Sequence, residues 1–426
     1  MIRKTVLNNG IRFISEPLLG AHSVAIGVWV ENGSRHELPE ERGLSHLLEH
    51  MLFKGTERRS GLEIAREIDS VGGMLNAFTS REFSCYYAKV LAQRLPLAID
   101  LLSDVIRHPR FDLDDLEKER RVVLQELHMV EDTPDDLIHD LFSQIFWQDH
   151  PLGSPVLGTT ETVRAFDRNA LINFLRRRYT GESLLISAAG DLDHDDLVDQ
   201  LNRAFGDLPA SGELPATAPP GYSRHLAICD RELEQVHLCF GTRALSQNHP
   251  DRFSAYILNG LLGGSMSSRL FQKVREERGL AYSIYSYLHC HSDGGALVVH
   301  AGTAPDDTRS VVDIIQREMR RLCDAVVPEK ELTAVREQLR GNLLLSLEST
   351  ENRMTRLAKN EIYLGGQVPL RDLMHAFDRV TGEDVQALAR SLFRDEFLNL
   401  QLLGRVDPAD FPEIDLTLGR PKSDLS

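Results

Sequence analysis

Short runs of alternating apolar and polar residues take turns along this chain with longer stretches in which apolar positions recur every three to four residues, the signatures of strands and amphipathic helices. Near the start, KTVLNNGIRFISE places two alternating runs around Asn8-Asn9-Gly10 and predicts a hairpin, and MLNAFTSREFSCYYAKV predicts two strands joined by a turn at 79–82. Helical spacing predicts helices over 44–53, 62–71 (stopped by Gly72-Gly73), 95–107 and 112–130. Hairpins mixed with helical runs predict an α+β class, in which helices cover one face of a mostly antiparallel sheet.

The pattern then recurs. VAIGVWVENGSRHE at 24–37 and VHLCFGTRALSQNHPD at 236–251 each lead into a helix, and LLISAAGDLDHDDL from Leu184 and LNLQLLGRVDPADF from Leu398 each run an apolar strand into a Gly and an acidic turn. The offset is roughly 212 residues in each case, which predicts an internally duplicated unit. Between the copies, DLPASGELPATAPPGY at 207–222 carries four prolines and no helix or strand period, and reads as an exposed linker. The expected organisation is a first domain at 1–206, the linker at 207–222 and a homologous second domain at 223–426.

Composition narrows this picture. A chain of 426 residues with 42% apolar and 26% charged residues is too long for one ordinary core and too apolar to be disordered. No stretch reaches the roughly 18 consecutive apolar residues of a membrane helix, and the opening MIRKTVLNNGIRFISEP lacks the apolar block of a secretory leader, so a cytoplasmic protein without membrane insertion is expected. The five cysteines are odd in number, scattered and never spaced C-x-x-C, which argues against a disulfide framework and a cysteine zinc cage. A formal net charge of −16 argues against nucleic acid as a partner.

The sharpest chemical signal is His46-Leu47-Leu48-Glu49-His50. On a helix, His46, Glu49 and His50 fall within an arc of about 100°, while Leu44, Leu47, Leu48, Met51 and Leu52 occupy the other side. Imidazoles at i and i+4 can hold one zinc ion, with the glutamate between them close enough to take a proton from a water at the ion. This is the inverse of H-E-x-x-H. The alternative is a solvated helix face; with 16 histidines, chance generates the pattern about once in some twenty such chains. A catalytic zinc takes three protein ligands, and the helix 112–130 offers Glu119 and Glu126 on the border of its apolar stripe, two turns apart. Spacing does not choose between Glu119, Glu126 and His128.

In the second half, the counterpart of the His-bearing helix, SAYILNGLL at 254–262, has neither imidazole nor carboxylate. Gly263-Gly264-Ser265 lacks the ending of a phosphate loop and reads as a flexible turn or substrate-contacting loop. His289 and His291 alternate on a strand, a spacing more often structural than metal-binding. Acidic residues crowd 112–140, which reads as a solvated negative face or as a surface that favours basic peptides.

His46 to His50, followed 76 positions later by Glu126 with Glu119 seven before it, resembles the pitrilysin, insulysin and mitochondrial processing peptidase family of inverted zinc metallopeptidases, or inverzincins. ERGLSHLLEHMLFKGT, GGMLNAFTSREFSCYY, EKERRVVLQEL and HPLGSPVLGTTETV in the first half, and GGSMSSRLFQKVREERGLAYS and LLLSLESTENRMTRLAKNEIYLG in the second, look like blocks of that family, so the resemblance covers essentially the whole chain. The single-chain length is most similar to the bacterial processing-peptidase branch.

The resemblance implies that His46, His50 and Glu126 bind one zinc per chain, that Glu49 is the general base, and that Glu119 supports the ligands. It implies that Asn76 and Ala77 lie on an edge strand pairing with extended substrate. Arg275 and Tyr282 match a pair that the family brings against substrate, the tyrosine hydroxyl steadying the oxyanion. The implied protein is a zinc metalloendopeptidase of short or unfolded peptides, for which the acidic residues of 112–140 offer a preference for basic ones as one of their two readings, working as a homodimer because larger family members use four such domains in one chain. The competing reading is a noncatalytic structural or partner subunit of a processing-peptidase-like complex, or a half-active member needing another chain. Two imidazoles and a carboxylate also accept cobalt or manganese.

Overall fold

The computed structural model describes residues 1–213, 217–406 and 416–418. Positions 214–216 of the expected linker, the acidic turn expected from 407 onward and the last part of the second domain, 407–415 and 419–426, lie outside the described residues. The chain divides into two compact units, one formed by Met1–Met129, Ser154–Ala218 and Leu344–Gln367, the other by Val130–Gly153, Pro219–Leu343 and Val368–Ser426.

The first unit is built on six strands, β1 (Arg3–Val6), β2 (Arg12–Pro17), β3 (Ser23–Val30), β4 (Met74–Thr79), β5 (Ser84–Leu91) and β6 (Leu184–Gly190), in the order β1-β2-β6-β3-β5-β4. The hairpin at Asn8-Asn9-Gly10 joins β1 and β2, with Gly10 at φ +96°, where a side chain would be strained. Only β2 and β6 run parallel; the other pairs are antiparallel. One face carries helices α1 (Leu44–Leu52), α2 (Gly61–Asp69), α3 (Leu95–Arg107) and α4 (Leu113–Asp132). There Val24, Ile26, Val28 and Val30 of β3 join Leu47, Leu48, Leu101 and Leu102 in one core. Of the apolar stripe read along 112–130, Leu113 is the exception: at the first position of α4 it is 63% exposed, while Leu116 is buried in that core.

The other face is covered as well. Ala25 and Trp29, the alternate residues of β3, pack with Met354, Leu357 and Ala358 of the helix Thr350–Leu364. Strand β3 is therefore buried on both sides, which is why VAIGVWV reads as a near-continuous apolar run. Gly27 admits the close approach: a Cβ there would lie 2.9 Å from the Met354 sulfur.

The second unit has five strands, β7 (His225–Asp230), β8 (Val236–Ala244), β9 (Ala281–Cys290), β10 (Gly295–Thr303) and β11 (Asn399–Gly404), in the order β7-β11-β8-β10-β9. β7 and β11 are parallel and the rest antiparallel, so β7, β11, β8, β10 and β9 repeat the order and directions of β2, β6, β3, β5 and β4. Each unit is thus a mostly antiparallel sheet covered by helices, an α+β fold repeated twice. Helix α5 (Pro134–Phe146), from the first half of the sequence, covers one face of this second sheet through Ile138, Phe142 and Phe146 against Cys239, Val298 and Leu403.

All five cysteines are unpaired thiols. Among the described residues no helix is long and apolar enough to cross a membrane.

Candidate metal centre

Helix α1 is anchored before its chemistry begins. Leu44, Leu47, Leu48, Met51 and Leu52 are buried in the core of the first unit, which turns His46, Glu49 and His50 the other way. The chain enters α1 through Gly43 at φ +91°, where a Cβ would lie 2.5 Å from the Leu157 carbonyl oxygen. The Glu37 carboxylate accepts from the backbone N–H groups of Gly43 (2.8 Å) and Ser45 (2.7 Å), satisfying donors that a helix start otherwise leaves unpaired.

Helix α4 brings two carboxylates to this face from positions two turns apart. Glu126 Oε2 lies 3.7 Å from Nε2 of His46 and 3.7 Å from Nε2 of His50, and one donor atom from each of the three side chains falls within 4.8 Å of the others. Glu119 takes a different place: its Oε2 is 3.1 Å from Nδ1 of His50 and its Oε1 is 2.8 Å from Nζ of Lys54. An ionised carboxylate only accepts, so this contact puts the proton of His50 on Nδ1 and leaves Nε2 with a lone pair turned toward Glu126. Burial, with His50 adding to it, lowers His46 to about 4, so that its ring is neutral and able to ligate near pH 7.

Two imidazoles and a carboxylate converging in this way fit a zinc ion, and their partial exposure leaves room for a fourth ligand. Glu119, by contrast, has only 8% of its side chain exposed and is tied to Lys54 and His50.

Glu49 sits beside this group. Thr79 at the end of β4 donates its hydroxyl to Glu49 Oε2 at 2.5 Å. Burial pushes the Glu49 carboxyl up, while the Thr79 hydrogen bond and His50 pull it down and Glu126 pushes it up. β4 is an edge strand, paired with β5 alone. Its residues alternate in exposure, Asn76 outward and Ala77 and Thr79 half-buried. The Asn76 side-chain oxygen accepts from the N–H of Ala77 at 2.8 Å.

Arg275 and Tyr282 belong to the second unit, whereas α1 belongs to the first. Arg275 lies in a short π-helical segment, Phe271–Glu276, and its guanidinium stands 4.7 Å from the ring centre of Tyr282 and 4.9 Å from that of Phe271. Tyr282 is 79% exposed, so the aromatic does not pack into the core. Both line a depression with Gly263, Gly264, Ser265 and Met266. The helix Arg252–Leu262, counterpart of α1, is buried through Ile257, Leu258, Leu261 and Leu262. His289 and His291 do share a side, with ring centres 4.7 Å apart, and no third donor joins them in a metal-type group among the described residues.

Three residues around the centre escaped the sequence reading. Lys54 falls just beyond the end of α1, four residues after His50, a spacing that pointed to the same side. Thr79 looked like a turn residue, and Glu37 gave no signal, since its role depends on a loop folding back onto α1.

Comparison with known proteins identifies the family. Residues 12–160 match the family model for insulinase, Peptidase family M16, and residues 165–339 match that for the Peptidase M16 inactive domain. The chain is 42% identical to an uncharacterized zinc protease, YmxG, of Bacillus subtilis, over 93% of this chain and 97% of that protein. It is 41% identical to an uncharacterized zinc protease of Mycobacterium tuberculosis, over 92% of this chain and 90% of that one. Among solved structures, a protease from Helicobacter pylori superposes with a TM-score of 0.89 at 21% identity, covering 95% of this chain and 99% of that one. A peptidase M16 inactive domain from Pseudomonas fluorescens superposes with a TM-score of 0.90 at 18% identity, covering 95% and 98%. These last two speak to the fold.

Proposed function

Because the chain belongs to the insulinase family of peptidases, M16, we propose that it is a zinc-dependent endopeptidase that hydrolyses short or unfolded peptides at the His46, His50 and Glu126 centre. The observation that carries this reading is the convergence of Glu126 Oε2 on both Nε2 atoms, with Glu49 held alongside by Thr79. A zinc ion held by these three side chains supplies Lewis-acid polarisation of the scissile carbonyl and of the attacking water. Glu49 takes the proton from that water and delivers it to the departing amine. Glu119 keeps His50 in the tautomer that ligates, and Lys54 holds Glu119 in place.

The substrate is held as an added strand on the free edge of β4, where backbone pairing accepts many sequences. Asn76 engages the N–H of Ala77 until a peptide arrives; releasing it frees that donor for a substrate carbonyl and the amide for the peptide backbone. Arg275 and Tyr282 act from the second unit, the tyrosine hydroxyl donating to the oxyanion. The sequence halves 1–206 and 223–426 are the duplicated domains, the first bearing the metal and the second contributing to substrate binding, and the working form is a homodimer. The negative net charge and the acidic residues of 112–140 favour peptides with Arg or Lys.

The rival reading, a noncatalytic subunit, is disfavoured by the presence of the whole donor set together with Glu49. Purified full-length chain assayed alone on quenched-fluorescence peptides tests the choice. Cleavage that a chelator abolishes and added zinc restores supports the peptidase. A zinc-loaded chain inactive across a diverse peptide library contradicts it.

A further inference from the structure

The second unit holds another convergence of metal-type donors, on residues the peptidase reading does not use. His237 on β8 and His300 on β10 stand on adjacent strands, on the side of the sheet that α5 covers, and Asp135 reaches them from the first turn of α5. Asp135 Oδ1 lies 3.1 Å from Nδ1 of His237 and 3.6 Å from Nε2 of His300, and the three donor atoms all fall within 4.8 Å of one another. Ligands 2.0–2.2 Å from a tetrahedral zinc stand about 3.4 Å apart, so this spread suits an ion as well as the 3.7 Å separations around His46 do.

A second, independent observation concerns the imidazoles. His300 is 1% exposed and His237 7%. Despite these short approaches, neither Nδ1 of His237 nor either nitrogen of His300 makes a hydrogen bond of acceptable geometry among the described residues. Buried polar atoms without partners are uncommon in a folded protein and call for a water, an ion or a chemical role. Two of the three orphaned atoms face the same carboxylate oxygen.

The neighbours sharpen the donor set. His139, whose ring centre is 5.1 Å from that of His300, has both nitrogens engaged by tyrosine hydroxyls, Nδ1 with Tyr287 at 2.8 Å and Nε2 with Tyr285 at 3.2 Å. Cys239, beside His139, is a buried thiol that burial keeps protonated, and so is no thiolate donor. The positive end of α5 opposes a cation, but Asp135 and Asp136 in its first turn offset that partial charge. The exposed side of Asp135 leaves space for water to complete the coordination.

From this geometry we infer that Asp135, His237 and His300 form a second binding site for a divalent transition cation of the zinc class, which ties the start of α5 to β8 and β10. Two imidazoles with one carboxylate select such ions over calcium and magnesium, which take oxygen ligands. The inference does not rest on the peptidase activity and adds a second ion to the one at His46, His50 and Glu126.

Metal-free full-length chain equilibrated with Co2+, and separately with Zn2+, Mg2+ or Ca2+, tests it by metal analysis and by the visible d–d spectrum of cobalt. The expected stoichiometry is two cobalt or zinc ions per wild-type chain and one in a His46→Ala/His50→Ala variant, whose remaining four-coordinate cobalt spectrum disappears when Asp135→Asn is added. Asp135 is 67% exposed on its side chain, so this change spares the fold, which circular dichroism checks; His300→Ala is the more severe companion. Zinc is expected to raise the melting temperature of His46→Ala/His50→Ala but not of the triple variant. A folded His46→Ala/His50→Ala variant that binds no cobalt, or one whose bound cobalt is unaffected by Asp135→Asn, overturns the inference and leaves His237 and His300 as buried rings without an ion.

Discussion

Burial pushes the Glu37 carboxyl up to about 7, even though two backbone N–H groups at the start of α1 donate to it. Because the folded value is raised, the folded chain keeps a proton that the unfolded chain has already lost from about pH 4.5, and the contribution of Glu37 to stability falls as pH rises from there to about 7. The neighbouring His36, lowered to about 4 chiefly by burial, tilts the other way: its contribution is lost as pH falls from about 6.5 to 4. The two slopes oppose each other, so the test is a difference between proteins. Urea unfolding of Glu37→Gln and wild type is expected to show wild type losing ground between pH 5 and 7, by up to about 1.4 kcal/mol per pH unit. A difference flat over that range contradicts this account of Glu37. For Glu119, removing the carboxylate in Glu119→Ala frees the Nδ1 side of His50 and strands Lys54; zinc affinity, measured by competition with a chromophoric chelator, is expected to fall about 10- to 100-fold while the helices persist. At this scale His46, Glu49 and His50 were legible because one helix sets their spacing. The choice between Glu119 and Glu126 was not, since residues two turns apart lie on the same side of α4 and only their partners on α1 separate them.

Among the elements, periodicity located the helices near the metal group to within a residue or two, and 95–107 agrees at both ends with α3. Local pattern also found the β1–β2 and β4–β5 hairpins, where pairing is sequence-adjacent. What it lacked was the partner of each helix. The helix Thr350–Leu364 and α5 are ordinary amphipathic segments by sequence, yet each covers the second face of a sheet whose strands come mainly from the other half of the chain. Long-range packing of that kind leaves only an indirect trace, the doubly apolar strand β3 and the small residue Gly27 under Met354. Met354 is 1% exposed among Ala25, Trp29 and Leu185, so Met354→Ala is expected to cost about 2–5 kcal/mol in unfolding free energy while leaving the metal group's composition untouched. A loss below about 0.5 kcal/mol shows that this helix does not cover the sheet as described.

For the molecule as a whole, the repeated strand order makes the duplication visible in three dimensions, whereas in sequence it showed only as two short similarities at a common offset. The copies then diverged in chemistry: α1 carries imidazoles and a carboxylate, and its counterpart Arg252–Leu262 is packed with leucine and isoleucine. On the proposed function, the second unit supplies Tyr282 to the reaction, and Tyr282→Phe is expected to lower kcat by about 10²- to 10³-fold with a much smaller change in KM. An unchanged kcat removes Tyr282 from the mechanism. The central claim, that His46, His50 and Glu126 hold the metal while Glu49 moves the proton, is tested most directly by one paired measurement on Glu49→Gln: zinc content per chain and the rate of peptide cleavage. The expected result is wild-type zinc content with turnover reduced at least about a hundredfold; unchanged turnover at full zinc content contradicts the account.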